Sequence, residues 1–339
     1  MTRHDASPAS PIDPDRILRV VAGLGLLPIL LVLAVAFLSV FEPRFLGAYN
    51  LFNVARTASF LAIVAVGQML VLVVGGFDLS VGAVIALAST VTAKTMAFLA
   101  TTMPESASLA IAGGVLAGLC CGLGVGLING LLVAFLRISP FMVTLGTLSI
   151  ASGLALLLTN GIPVYGMPES FVTDFGRALW LGVPTTLYVA LALVFAVYLI
   201  QNFTVLGRHI HAVGGNLQAA LVSGVRTRAN LVTAYALCGC LAAVTGVLLT
   251  ARVGSGQATL GGNVMMLQSI AAAVIAGVSL RGGVGRVELV ALGALFLSII
   301  GNAMNLMRVD SKIQTIVLGV IIVLAVAIEE ANRRKRSHD

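Results

Sequence analysis

The chain has 339 residues, of which 59% are hydrophobic and only 10% charged, with a mean hydropathy of +1.06. Soluble domains carry about 25% charged residues, so this chain lacks the charge to solvate a globular surface, which excludes a soluble enzyme, a nucleic-acid-binding domain and a disordered protein. The net charge is +7; in a chain this apolar, where the basic residues sit matters more than their excess.

A hydrocarbon core about 30 Å thick needs roughly 20 helical residues to cross it. In chain order, about ten segments meet this: 20–41, 57–75, 80–100, 108–127, 141–159, 180–200, 229–251, 263–280, 287–307 and 313–329. They are apolar on all sides and longer than the alternating strands of a barrel, which predicts an all-α integral membrane protein. Val20–Phe41 is too long for the apolar stretch of a cleaved leader and lacks a small-x-small site after it, so it reads as a retained first span. The expected organisation is a tail over 1–19, one membrane domain over 20–329 with its longest cytoplasmic loop at 201–228, and a basic tail over 330–339. With both termini cytoplasmic, thirteen of the 20 basic residues fall inside and six outside, Lys94 lying within a span. That is the expected bias for a multi-pass membrane protein. Eight spans would satisfy the same parity.

Three segments stand out. The first, Gly75-Gly76-Phe77-Asp78-Leu79-Ser80-Val81-Gly82, follows the second span. Paired glycines break a helix, and Asp78 then stands where an N-cap belongs; a role in gating or solute contact is the other reading. The second runs from Asn129 through Arg137 and Pro140 to Thr144 and Thr147, a helix end, a corner and a new helix. Its threonines lie one turn apart on one face. In the third, Asn216 fits an N-cap and Gly224 a left-handed stop. The two turns between them, with Ala219, Ala220 and Ser223, are too short to stand alone in water, so the segment must dock on its own bundle or on another protein.

The spans hold few acids, which argues against ion coupling. They offer neutral groups instead: Gln68, Asn129, Thr144, Thr147, Gln268, Asn302 and Asn305. These suit the path of a neutral polar solute, or else bond helix to helix. Gly114, Gly118, Gly122, Gly126 and Gly130 recur every fourth residue, a stripe for close helix packing. Cys120, Cys121, Cys238 and Cys240 lie in apolar runs without a histidine, so they read as small hydrophobes and no metal site is expected. No Gly-rich loop ends in Gly-Lys-Ser/Thr, so any ATP hydrolysis belongs to another subunit.

On these segments the chain resembles the permease subunits of ribose-type (ribose/xylose/galactose) sugar ABC importers. The Gly75–Gly82 run is similar to that family's Gly-Gly-Ile-Asp-Leu-Ser-Val-Gly. Gly207-Arg208, Ala212-Val213-Gly214-Gly215-Asn216, Ala219-Ala220 and Ser223-Gly224 resemble its coupling segment, and Ile270 through Gly282-Gly283-Val284-Gly285 resembles its late loop. The likeness covers about residues 45–328. It implies a type II importer bundle, a second permease copy or paralogue, two ATPase domains that bind ATP and Mg on the cytoplasmic face, and a periplasmic solute-binding protein. It also implies that Gly215, Asn216, Ala219, Ala220, Ser223 and Gly224 couple the ATPases to the bundle. Met266 and Gln268 stand where the family commonly has an acidic pair. The expected function is a non-enzymatic permease for a sugar or sugar-like solute, working by alternating access, with no cofactor of its own and no nucleic-acid partner. The binding protein would dock on outer loops that include Glu169, Asp174 and Arg177, with Arg44, Arg56, Arg252 and Arg308 as further charged contacts. A related importer for amino acids or nucleosides, or an ion-coupled carrier, is the alternative.

Overall fold

The computed structural model describes residues 27–336; the predicted tail 1–19, the start of the first predicted span and the last three residues lie outside the described residues. The chain opens with α1 (Leu27–Phe41), α2 (Ala48–Val73), α3 (Val81–Thr102), α4 (Ala107–Phe135) and α5 (Pro140–Thr159). A π-helical turn, Phe171–Gly176, and a hairpin of β1 (Leu179–Trp180) and β2 (Val183–Pro184) precede α6 (Thr185–Phe203). Then follow α7 (Val205–Gly215), α8 (Leu217–Val222), α9 (Thr227–Val253), α10 (Gly262–Ile275), α11 (Val287–Leu306) and α12 (Ser311–Arg336).

Seven of these, α2 to α6, α9 and α11, are long and apolar enough to cross a membrane. Leu27–Phe41, Gly262–Ile275 and Ser311–Ala327 are shorter apolar helices at the three remaining predicted positions. A helix that is apolar all round is either a core helix or a membrane span, and this bundle uses both. Every residue of α2 from Ala58 onward is buried. It is the axle, with α6, α9, α10 and α11 packed around it; Leu61, Ile63 and Met69 meet Leu248 of α9, Ala272 of α10 and Val290 of α11 in one core. The outer faces of α4 and α5 instead expose Leu116, Ile128, Ile150 and Leu157.

The glycine stripe of α4 does pack, against two helices in succession. Gly114 and Gly118 lie on Thr92 and Met96 of α3, whereas Gly122, Gly126 and Gly130 lie on α9. A Cβ on Gly122 would stand 2.5 Å from the Gly239 carbonyl oxygen, and one on Gly130 2.7 Å from the Val232 Cα. The four-residue repeat drifts around the helix because 3.6 residues make a turn, and the drift carries the stripe from one neighbour to the next.

Several predicted spans begin or end elsewhere: the one expected at 57–75 already starts at Ala48, and the one expected at 108–127 runs on to Phe135. The one expected at 180–200 starts only at Thr185, because Leu181 and Gly182 take left-handed φ angles of 51° and 79° and turn the chain back as a hairpin. The one expected at 263–280 stops at Ile275, where Gly277 at φ 80° cannot extend the helix. The predicted loop 201–228 is largely helical, since Thr204 caps α7 by accepting from the Gly207 amide at 3.2 Å.

Candidate functional site: a glycine-seated junction at one end of the bundle

The turn after α2, the end of α7 ahead of the expected coupling segment, and the late loop at Gly282–Gly283 meet at one end of the molecule. Gly75, at φ 81°, closes the end of α2, its amide and that of Gly76 donating to Leu72 and Val71 carbonyls at 2.9 Å. The next carbonyl, Val73, accepts from the Gly283 amide at 2.8 Å. Gly214, near the end of α7, sits so close to the Val73 carbonyl that a Cβ would overlap it. Gly282, at φ 94°, completes the stack; a Cβ there would lie 2.8 Å from the Gly214 oxygen and 2.9 Å from the Gly75 nitrogen. Backbone rests on backbone in all three segments, an approach open only to residues without a side chain.

Side chains lock the junction. Gln201, 9% exposed at the end of α6, donates to the Gly285 carbonyl at 2.7 Å and accepts from the Val287 amide at 3.0 Å. It thereby caps the first residue of α11 from another helix. His211 of α7 faces the same carbonyl, with Nε2 at 3.2 Å from Gly285 O and Nδ1 at 2.9 Å from Gly207 O. Tyr235 of α9 closes on the turn after α2 through Phe77. Sequence reasoning missed all three. A phenol inside an apolar span was the available signal for Tyr235, because a buried hydroxyl finds a partner.

Asp78 is 1% exposed but is not the N-cap expected of it. Ser80 occupies that position, without a side-chain cap bond. Asp78 Oδ1 instead accepts from the Ser80 amide at 2.8 Å and the Ser80 hydroxyl at 2.6 Å, a turn that fixes the approach to α3. Asn129 then donates to the Ser80 oxygen at 3.0 Å, tying α4 to the same turn. Among the described residues no group of His, Cys, Asp and Glu suited to a metal occurs.

The residues expected to couple divide by face. Asn216 caps α8, accepting from the Ala219 amide at 3.0 Å, and Gly224 turns left-handed at φ 77°, as read from the sequence. Ala220 is buried at 4%, so it seats α8 on its own bundle. Gly215, Ala219, Ser223 and Gly224 are exposed, together with Leu217, Leu221 and, at 90%, Val222. The face presented outward is therefore more apolar than the small residues alone indicated.

The neutral polar residues do not line one common path. Gln68 is fully buried on α2, its amide without a partner among the described residues. Thr144 and Thr147 turn their hydroxyls back onto the Pro140 and Val143 carbonyls of α5. Asn302 pairs reciprocally with Asn50 at 2.7 and 3.0 Å, joining α11 to α2. Asn305 accepts from Gln314 at 2.9 Å. Gln268 lines a cavity of about 190 Å³, with Gly301, Met304, Ser311, Gln314 and Thr315 among its walls.

At the opposite end Arg44, Arg56 and Arg177 are engaged by their own chain. Arg44 bonds Glu42 at 2.7 Å and the Leu306 carbonyl at 3.1 Å, and its guanidinium holds the Glu42 carboxyl below the usual carboxylate range. Arg56 donates to the Arg177 carbonyl at 2.9 Å, and Arg177 to the Arg252 carbonyl at 3.2 Å.

The family model described as branched-chain amino acid transport system / permease component matches residues 50–326. The chain belongs to this permease family. The permease is 37% identical to the ribose import permease of Escherichia coli (strain K12) over 304 residues, which cover 89% of this chain and 92% of the relative. It is 34% identical to the ribose import permease of Bacillus subtilis (strain 168) over 308 residues, 91% of each chain. It is 37% identical to the galactose/methyl galactoside import permease of Escherichia coli (strain K12) over 314 residues, 90% of this chain and 93% of the relative. No solved structure matches the permease. As a permease component it is a multi-pass membrane transport protein rather than an enzyme.

Proposed function

We propose that this permease is the membrane subunit of an ATP-driven, binding-protein-dependent importer of a sugar or sugar-like solute. Ten helices cross the membrane, the three shorter apolar ones included, with both termini and the glycine-seated junction on the cytoplasmic side. Two permease copies, or this chain and a paralogue, enclose the path. Two ATPase domains, which hold ATP and Mg, dock on α8 and its flanks, while a periplasmic binding protein delivers solute to the opposite end. Its contacts include Glu169, Asp174 and Arg308.

The observation that carries the reading is the seating of Gly214 between the Val73 carbonyl and the Gly282–Gly283 turn. A push on α8 reaches α7, and α7 rests without side-chain cushioning on the end of α2 and on the Gly282–Gly283 turn that precedes α11. A rigid contact of this kind transmits displacement, because close-packed backbone has no rotamers to absorb it. Alternating access then shifts the population between inward and outward states. The neutral lining at Gln268, and the sugar import permeases among the relatives, support a neutral polyol as cargo.

The family description favours one second reading, an amino-acid solute. Reconstitution with the cognate ATPase and binding protein decides between them: ATP-dependent accumulation of a pentose or hexose is expected. Accumulation of amino acids alone would establish the second reading, and uptake by the permease without ATPase, driven by an ion gradient, would overturn both.

A further inference from the structure

We propose that the hairpin Leu179–Pro184 is a lipid-interface anchor whose tip, Trp180 and Leu181, sits in the headgroup boundary beside the start of α6. Leu181 is 97% exposed and Trp180 56% exposed. The two-residue turn Leu181-Gly182 joins Trp180 to Val183, with both turn residues left-handed. Such turns take Asn, Asp or Gly at their first position. A leucine there, bare on all sides, is disfavoured in water twice over: by its backbone conformation and by its exposed apolar surface.

The surroundings identify what receives it. The Tyr188 hydroxyl donates to the Trp180 carbonyl at 3.0 Å, and the two rings lie 6.5 Å apart. Tyr188 begins a stripe on α6, continued by Leu191, Phe195 and Leu199, all exposed at helical spacing, while Ala190 and Val197 on the other side are buried. The hairpin tip therefore prolongs the face that α6 turns outward from the bundle. No charged residue occurs between Arg177 and Arg208, so nothing in the hairpin draws it into water or pairs with a charged protein surface. A helix of 19 residues spans about 28 Å at 1.5 Å per residue, which sets the hairpin at the level where Trp and Tyr gather in membrane proteins. The inference rests on the membrane-spanning reading of α6.

Trp180 is the single tryptophan of the chain, so its fluorescence reports the tip directly. The full-length permease is reconstituted in phosphatidylcholine vesicles with and without lipids brominated in the upper acyl chain, and its insertion is verified by resistance to alkaline extraction. Brominated lipid is expected to quench Trp180 emission about twofold or more, with little quenching by aqueous acrylamide. Leu181→Asn, which suits the turn but removes the apolar tip, is expected to reverse that order. Inserted protein whose Trp180 is open to acrylamide and blind to brominated lipid overturns the anchor, as does lipid quenching that Leu181→Asn leaves unchanged. Shielding that appears only when the binding protein is added, or only when copies associate, also overturns it, in favour of that partner. Protein that extracts from the vesicles would instead refute the membrane-spanning reading.

Discussion

The Tyr235 hydroxyl meets both main-chain polar atoms of Phe77, the nitrogen at 3.2 Å and the oxygen at 3.1 Å. One side chain on α9 thus satisfies a turn residue 158 positions earlier, and joins the helix that packs the glycine stripe to the turn that starts α3.

Tyr235→Phe removes that hydroxyl with no change of shape, leaving the Phe77 amide and carbonyl unpaired in a partly buried site. A loss of about 1–3 kcal/mol is expected, read as a lower unfolding temperature in detergent. Unchanged stability would show that the turn holds itself.

Asp78→Ala takes the acceptor from both the Ser80 amide and the Ser80 hydroxyl. It should destabilise the start of α3 by roughly 1–3 kcal/mol, while Asp78→Asn, which keeps an acceptor oxygen, recovers most of it. If both variants unfold like the wild type yet neither supports uptake, Asp78 acts on solute or gating rather than on the turn.

Gly214 and Gly215 are adjacent, but their surroundings are opposite. A Cβ on Gly214 overlaps the Val73 carbonyl; one on Gly215 meets nothing within 4 Å. Gly214→Ala should therefore unseat α7, exposing 204–226 to protease and lowering the unfolding temperature, whereas Gly215→Ala should keep the protease resistance and unfolding temperature of the wild type. Equal behaviour of the two variants would contradict the seated junction.

Val222→Asp places a charge on the exposed face of α8. It should prevent copurification of the ATPase while insertion and unfolding temperature stay unchanged. Ala220→Arg, by contrast, forces a charge into the buried side of the same helix and should lower stability as well. An ATPase that copurifies normally with Val222→Asp would place its footprint elsewhere.

On α4, Gly126 faces Tyr235 and Ala236 of α9, while Gly124 has open space around it. Gly126→Leu should separate the helices at a cost of about 3 kcal/mol or more, since a packed backbone contact has no room to yield. Gly124→Leu should be silent in the same unfolding assay.

Parts of the junction and of α8 were legible as motifs: Gly75-Gly76, Asn216 and Gly224 each carry a local signature, because caps and left-handed turns depend on a few neighbouring residues, while Gly282-Gly283 stood out through the family resemblance. That these motifs form one contact was not legible, since their meeting depends on how α2, α7 and α10 pack. Gln201 shows the limit most plainly: a glutamine at a helix end is unremarkable in sequence, and becomes the cap of α11 only when that helix is brought beside it.

The amino-acid sequence by itself determined that this is a membrane bundle, and roughly where its helices run, because hydrocarbon demands long apolar segments with internally satisfied backbones. Only the tertiary structure decided which glycines touch backbone, that Asp78 holds Ser80 in a turn ahead of α3, that Asn302 bonds Asn50 rather than lining a path, and that residues 179–184 fold back before α6. Hydropathy is additive along the chain and can be read residue by residue; hydrogen-bond partners and close backbone contacts are set by which helices become neighbours, and that is a property of the packed whole.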